Sequence, residues 1–251
     1  MRNYIVIPKF LSLAFVLAVF SAHSSELQES VRGEVRSVLD PLMEDRLIPG
    51  YYLAIYDQNG KQFEDKQGFA AEIDNLEPAE HVLYAIMSMS KPIVSFAALR
   101  LVERGDLKLN DPVSKYIPEF EGIQVAVLKK PADEDISPGY VSRDDIPEHR
   151  LVDTHRPLRI KDLLTHTGGI AGYGLGTAVA NIELDWSENE TLASVIPKYA
   201  VGPLDFQPGT RWAYSPTIGL DIIARIIEIV SGVPFNEFVH KNILRPLDMK
   251  D

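Results

Sequence analysis

The stretch Gly219 to Val230 constrains this chain more than any other. Ile222, Ile223, Ile226, Ile227 and Val230 fall on one face at helical spacing, with Arg225 and Glu228 on the other. A helix this amphipathic must bury its apolar stripe against other elements. Ser231-Gly232 stops it, and Pro234 opens a last helix carrying Phe235, Phe238, Val239 and Ile243. The chain has 251 residues, enough for one large domain or two small ones with a real core.

Hydrophobic residues at 45% and charged residues at 24% argue against a disordered chain. The formal net charge of -11 argues against nucleic acid as the main partner, because phosphate binding needs a basic surface. There are no cysteines. That removes disulfides, thiolate catalysis, Cys-based zinc sites and a lipidated N-terminal Cys. Residues 1–24 read as a secretory signal peptide. Arg2 and Lys9 supply the positive start, and Phe10 to Ala22 is an apolar run too short for a usual membrane span. Ala22-His23-Ser24 offers small residues where a signal peptidase reads. Cleavage there removes Arg2 and Lys9 and takes the charge from -11 to -13. The alternative is an uncleaved anchor. No later stretch is apolar enough to span a bilayer, and the expected location is periplasmic or secreted.

Residues 27–47 carry Leu27, Val31, Val35, Val38, Leu39 and Leu42 at helical spacing, and Pro49-Gly50 ends that segment. Tyr51 to Tyr56 reads as a strand, Asp57-Gln58-Asn59-Gly60 as a turn, and Lys61 to Phe69 as the return strand. A helix is expected from near Ser88 to Arg104, with Val94, Ala97, Ala98 and Leu101 on one face and Gly105 as its C-terminal cap. Pro92 fits only in its first turn. Residues 121–157, with Pro131, Pro138, Pro147 and Pro157, read as a long irregular excursion. Ile160 to Leu164 begins a short helix, and Gly168, Gly169, Gly172, Gly174 and Gly176 read as a flexible turn region.

Ser88-Met89-Ser90-Lys91 is the sharpest local chemistry. Positions i and i+3 share a helix face, about 5–6 Å apart at Cβ. A serine hydroxyl needs a base to take its proton, and a lysine serves once desolvation or nearby positive charge leaves it neutral. A backbone N–H at a helix start also points toward a developing oxyanion. One turn therefore offers nucleophile, candidate base and half an oxyanion hole. Taken alone, S-x-x-K is weak, and a helix-capping Ser beside an exposed Lys is the commoner meaning. Ser90 is a second candidate on another helix face. Tyr214-Ser215-Pro216 follows the turn Gln207-Pro208-Gly209 and a short extended piece. A tyrosine near a lysine can share its proton as base or acid. The bland reading of Tyr214 is a half-buried aromatic with a satisfied hydroxyl. His166 lacks H-x-x-x-H spacing, and His155 is a poor partner, so His166 reads as a structural residue bonding a turn.

These pieces resemble, in order, the serine β-lactamase-related hydrolases: class C β-lactamases, DD-peptidases and an esterase branch. Tyr84 to Pro92 is similar to the family's nucleophile turn, and Gly105 to Val113 to the stretch after its helix. Leu163 to Gly169 resembles the family's "LLTHTSG", Pro208 to Ser215 the segment carrying its Tyr, and Pro246 to Met249 its "PLGM". The resemblance spans about residues 30–251. It implies an α+β, β-lactamase/transpeptidase-like fold: an antiparallel sheet flanked by helices, plus a helical subdomain, over residues 25–251. It implies acyl transfer through a seryl ester, with Ser88 as nucleophile and Lys91 and Tyr214 managing its proton. The implied partner is a small-molecule or peptide-like acyl substrate, an ester, amide or β-lactam, and no cofactor or metal is implied.

Two departures stand out. Many relatives carry Asn two residues after the Tyr, where this chain has Pro216, as in esterase-like branches. The family's third motif, a Lys/His-x-Gly strand that adds the second oxyanion N–H, falls after "PLGM" and is not met before Asp251. The expectation is therefore a domain incomplete at its C-terminus, without the closing strands. Only the hairpin at Tyr51 to Phe69 reads as sheet, so residues 25–251 alone are expected to be poorly stable and nearly inactive. A non-catalytic binder of the same fold is the alternative, and a zinc hydrolase a distant third.

Overall fold

The computed structural model describes residues 25–70, 77–79, 82–129, 140–170, 172–180, 182 and 190–249. The expected leader at 1–24 lies outside the described residues. The chain forms two compact units that part between Tyr84 and Ala85.

The first unit holds α1 (Ser25–Glu44), β1 (Gly50–Asp57) and β2 (Gly60–Gly68). Val31, Val35, Leu39 and Leu42 are half-buried along one side of α1, as their spacing predicts, whereas Val38 is exposed and the Leu27 side chain lies outside those described. β1 and β2 pair antiparallel, from Gly50 opposite Gly68 to Asp57 opposite Gly60, with an irregularity after Ile55. The Asn59 amide donates to Asp57 Oδ1 at 2.7 Å, and Gly60 takes a φ of 106° that closes the turn. Asp65 of β2 ties the hairpin to α1. Arg32 Nε donates to its carboxylate at 3.1 Å, Arg36 Nη2 at 3.0 Å and Tyr51 Oη at 2.6 Å. Arg32 and Arg36 lie one helical turn apart, so both reach one carboxylate. Burial pushes the Asp65 carboxyl up, and the bonds from Arg36, Tyr51 and Arg32 outweigh it and hold it below the usual range.

The second unit is helical around one core. Its elements are α2 (Ser90–Glu103), β3 (Gln124–Leu128), β4 (His149–Asp153), α3 (Ile160–Leu164), α4 (Leu175–Ala180), α5 (Leu192–Tyr199), α6 (Ile218–Ser231) and α7 (Phe235–Val239). α6 is the axis. Ile222, Ile223, Ile226 and Ile227 are wholly buried, and α6 packs against α2, α3, α5 and α7. Gly232 ends it in the left-handed conformation, at φ 73°. Ala97, Ala98 and Leu101 are the buried face of α2. The last helix departs from expectation in form: α7 gives way to a π-helical turn at His240–Leu244 and a 3-10 turn at Arg245–Leu247.

Within 121–157, residues 130–139 with Pro131 and Pro138 lie outside the described residues, and the described parts hold a strand pair that the prolines do not suggest. β3 and β4 pair antiparallel, from Gln124 opposite Asp153 to Leu128 opposite His149. Leu204 closes the other edge of β3: its amide donates to the Gln124 carbonyl at 2.7 Å, and its carbonyl accepts from the Ala126 amide at 3.0 Å. Val125, Ala126 and Leu204 are buried where the two segments meet. The strands lie far apart in sequence without a tight turn between them, so no local signal marks the pair. The described residues thus hold two two-stranded sheets. The glycines after Gly168 also serve packing more than flexibility. A Cβ on Gly176 would lie 2.4 Å from the Pro203 carbonyl, and one on Gly174 would lie 2.4 Å from the Asp205 carboxyl carbon. Close approach of the Asp205 side chain to Gly174 and of the Pro203–Leu204 backbone to Gly176 accompanies the docking of α4 on β3.

Burial of the isoleucine face sets the first prediction. Ile226→Ala is expected to lower unfolding free energy by about 2–5 kcal/mol, through lost burial and an unfilled cavity. Ile229→Ala, on the exposed side at 39%, is expected to cost about 0.5 kcal/mol or less. Denaturant titration of both variants checks this, and equal effects would remove α6 as the axis of the core.

Candidate active site

Residues Met87–Met89 form a 3-10 turn that runs directly into α2. Met87 has a φ of 47°. A methionine in the left-handed region is strained, and such strain persists only where the surroundings enforce it. The strained residue stands directly before Ser88. α2 proper thus starts at Ser90, slightly later than expected, and Ser88 sits in the turn that leads into it. Pro92 occupies the first turn of α2, where a missing N–H goes unmissed.

Ser88 Oγ is the meeting point of the site. Lys91 Nζ donates to it at 3.1 Å, the i, i+3 relation read from the sequence. Tyr214 Oη donates to it at 2.8 Å from the other side. Lys91 Nζ also donates to the Pro216 carbonyl at 2.5 Å and lies 5.1 Å from the centre of the Tyr214 ring. The structure therefore brings Ser88, Lys91 and Tyr214 together, although Tyr214 is far off in sequence. Ser90 is exposed and bonds neither Lys91 nor Tyr214. The hydrogen bond with Ser88, then that with Lys91, then the Lys91 charge hold the Tyr214 hydroxyl below its usual pKa.

His166 positions the tyrosine segment. It follows α3, and its φ of 56° turns the chain back. Its carbonyl accepts from the Ala213 amide at 3.0 Å, and its Nδ1 accepts from the Ser215 amide at 3.2 Å. The Tyr214 residue is thus bracketed by two bonds to one histidine, whose ring lies 5.0 Å from the Tyr214 ring. Burial, then the Lys91 charge, push the His166 pKa down, which favours the neutral ring that an accepting Nδ1 requires. Ser215 Oγ in turn accepts from the Gly219 amide at 3.1 Å, joining the segment to the first turn of α6.

A buried ion pair braces the same turn. Asp162, 2% exposed, receives Arg156 Nη1 at 2.6 Å, Arg156 Nη2 at 2.9 Å and the Arg159 amide at 2.9 Å. The Asp162 carbonyl accepts from Thr167, and the Thr167 carbonyl accepts from Gly209, both at 2.8 Å. Gly209 has a φ of 83°, and a Cβ there would lie 2.2 Å from Arg156 Nη2. Only glycine fits this corner, which aims the chain toward Tyr214. Sequence reading passed over Asp162 and Arg156. The carboxylate's place three residues after the helix cap Arg159 was the available signal. It also noted Pro216 only for the side-chain amide it lacks, whereas the backbone carbonyl makes the contact with Lys91.

Among the described residues, no group of three or more His, Cys, Asp or Glu side chains could hold a metal ion. No helix of the described residues is long and apolar enough to cross a membrane.

The family model described as Beta-lactamase matches residues 35–251. The esterase EstB of Burkholderia gladioli is 30% identical over 237 residues, covering 88% of this chain and 51% of that protein. A lovastatin esterase of Penicillium rubens is 35% identical over 68% of this chain and 39% of its own length. The D-alanyl-D-alanine-carboxypeptidase/endopeptidase AmpH of Escherichia coli is 25% identical over 100% of this chain and 57% of its own. Among solved structures, EstCE1, a hydrolase with promiscuous acyltransferase activity, superposes with a TM-score of 0.68 at 21% identity, over 90% of this chain and 54% of that one. A class C β-lactamase mutant superposes at 0.59 and 20% identity, over 88% and 49%. The chain spans about half the length of the curated relatives it matches. The fold is β-lactamase/transpeptidase-like, and by the family model and these relatives the chain belongs to the β-lactamase family.

Proposed function

We propose that this chain carries the proton-transfer core of a serine hydrolase that works through an acyl-enzyme. The observation that carries the reading is the single oxygen, Ser88 Oγ, bonded at once by Lys91 Nζ and Tyr214 Oη. The Ser88 proton passes to the Tyr214–Lys91 pair as Oγ forms a bond to the substrate carbonyl carbon. The carbonyl electrons move onto its oxygen, toward which the Ser88 backbone N–H is a candidate donor. The tetrahedral adduct then collapses, and the proton held by the pair goes to the leaving group. Water repeats the sequence on the seryl ester and releases the acid. The lowered Tyr214 pKa supports its share in this, because a larger phenolate fraction makes a more available base.

An ester is the substrate class the reading favours. Pro216 has no side-chain amide to orient an amide-bearing substrate, and two of the relatives described above are named as esterases. The apolar N-terminal run supports export to the periplasm or medium, with cleavage near Ser24.

Three outcomes are expected. Ser88→Ala abolishes covalent labelling of the full-length protein by a serine-reactive acyl probe, and Ser90→Ala leaves most of it. Mass mapping of the adduct reads this out, and reversible ligand binding with no Ser88 adduct would turn the reading to a binder. Lys91→Ala and Tyr214→Phe are each expected to slow acylation by about 10²-fold or more while the fold survives. Stopped-flow acylation with unfolding curves measures both, and a near-normal rate in either variant removes that residue from proton transfer. N-terminal sequencing of exported protein is expected to begin near Ser25, whereas an intact Met1 on cytoplasmic protein would overturn the leader.

A further inference from the structure

We propose that Asp221 is the counter-charge of Lys91, a positioning residue that balances the lysine's positive charge while the Ser88 proton moves. The proposal rests on the reading of Ser88, Lys91 and Tyr214 above.

Asp221 lies in the first turn of α6, between Leu220 and Ile222, which are both buried. α6 packs against α2, which begins Ser90-Lys91, and against α5, which ends at Tyr199. Asp221 is half-buried, and no hydrogen bond or ion pair of its carboxyl is found among the described residues. A carboxylate in such a place is costly unless a positive charge is near. Lys91 poses the converse problem. Its two bonds go to neutral oxygens, Ser88 Oγ and the Pro216 carbonyl, so neither contact neutralises an ammonium. Pro216 belongs to the loop that feeds the first turn of α6, which places the lysine at the end of that helix where Asp221 sits.

The electrostatics agree with this placement. Burial is the larger effect and holds the Asp221 carboxyl above its usual range, and the Lys91 charge offsets only part of that rise. The Tyr199 hydroxyl is buried without a hydrogen-bond partner, and burial followed by the Asp221 charge drives its pKa far up. The N-terminus of α6 adds a further preference for negative charge at Asp221. Other charged groups near α6 are engaged elsewhere: Asp162 with Arg156, Lys198 with Glu190, and Arg225 with Glu228. The His166 ring is tied to the Ser215 amide. Lys161 of α3 and Glu237 of α7 form no ion pair with Asp221 among the described residues.

In the reaction, the Tyr214–Lys91 pair gains one unit of positive charge when it takes the Ser88 proton. Asp221 stabilises that state through the field alone. It takes no proton from serine and touches no substrate.

The test is the titration of the Asp221 carboxyl, followed by NMR in the full chain with isotope-labelled aspartate. Lys91→Met removes the neighbouring charge and keeps the apolar stem, and it is expected to raise the Asp221 midpoint by about half a pH unit or more. Asp221→Asn keeps the shape and removes the carboxylate, and it is expected to slow Ser88 acylation by about 3-fold or more with an unchanged unfolding curve. An Asp221 midpoint that stays within about 0.2 unit in Lys91→Met, well under the shift a nearby charge produces, or an unchanged acylation rate in Asp221→Asn, overturns the proposal. Ser88 labelling of the wild type is measured in parallel. Its absence overturns the hydrolase reading, while the titrations still decide whether Asp221 and Lys91 are coupled.

Discussion

The structure of the second unit depends on the burial of one helix face. Ile222, Ile223, Ile226 and Ile227 of α6 meet α2, α3, α5 and α7 with no exposed surface. Burying four such side chains contributes on the order of 1.5–3 kcal/mol each. That contact also assembles the chemistry. α2 begins beside Lys91, and α6 is entered through Tyr214 to Thr217, so packing the two helices brings the lysine to Pro216 and the tyrosine to Ser88. The apolar core and the polar site are two ends of the same helix pair.

Polar precision comes from a second layer of constraints. Non-directional apolar packing cannot aim a hydroxyl to a few tenths of an ångström. Here Asp162 and Arg156 hold the α3 corner, Gly209 turns the chain beside them, and His166 clasps the backbone on both sides of Tyr214. Each bond is directional, and each involves a group that burial would penalise if left alone. The strain at Met87 fits the same scheme. A left-handed methionine is held in place because the turn it makes presents Ser88 outward.

Much of this was legible in the residues. The α6 stripe, the α2 face, the hairpin and its Asp57–Gly60 turn all follow from periodicity and turn chemistry. The Ser88–Lys91 pair follows from helical spacing, and Tyr214 from resemblance in flanking sequence. What escaped notice depends on partners distant in the chain. β3 and β4 pair across a long intervening segment, and Leu204 docks on β3 from further still. The glycines at 174 and 176 looked like flexibility because composition cannot show that the Asp205 side chain lies against the first and the Pro203–Leu204 backbone against the second. Asp162 and Arg156 went unremarked among the other charges of the sequence, and only the fold buries the carboxylate.

The sequence by itself determined which residue types could do chemistry and which faces had to be hidden. Periods of 3.6 and 2, caps and turn residues act over a few positions, and that range is readable in one dimension. Tertiary structure alone decided that Tyr214 Oη rests on Ser88, that a proline carbonyl receives Lys91, and that Asp221 lies within the field of that lysine. Those relations are distances between segments far apart in the chain. They exist only once the apolar face of α6 is buried, because that burial is what brings the segments together.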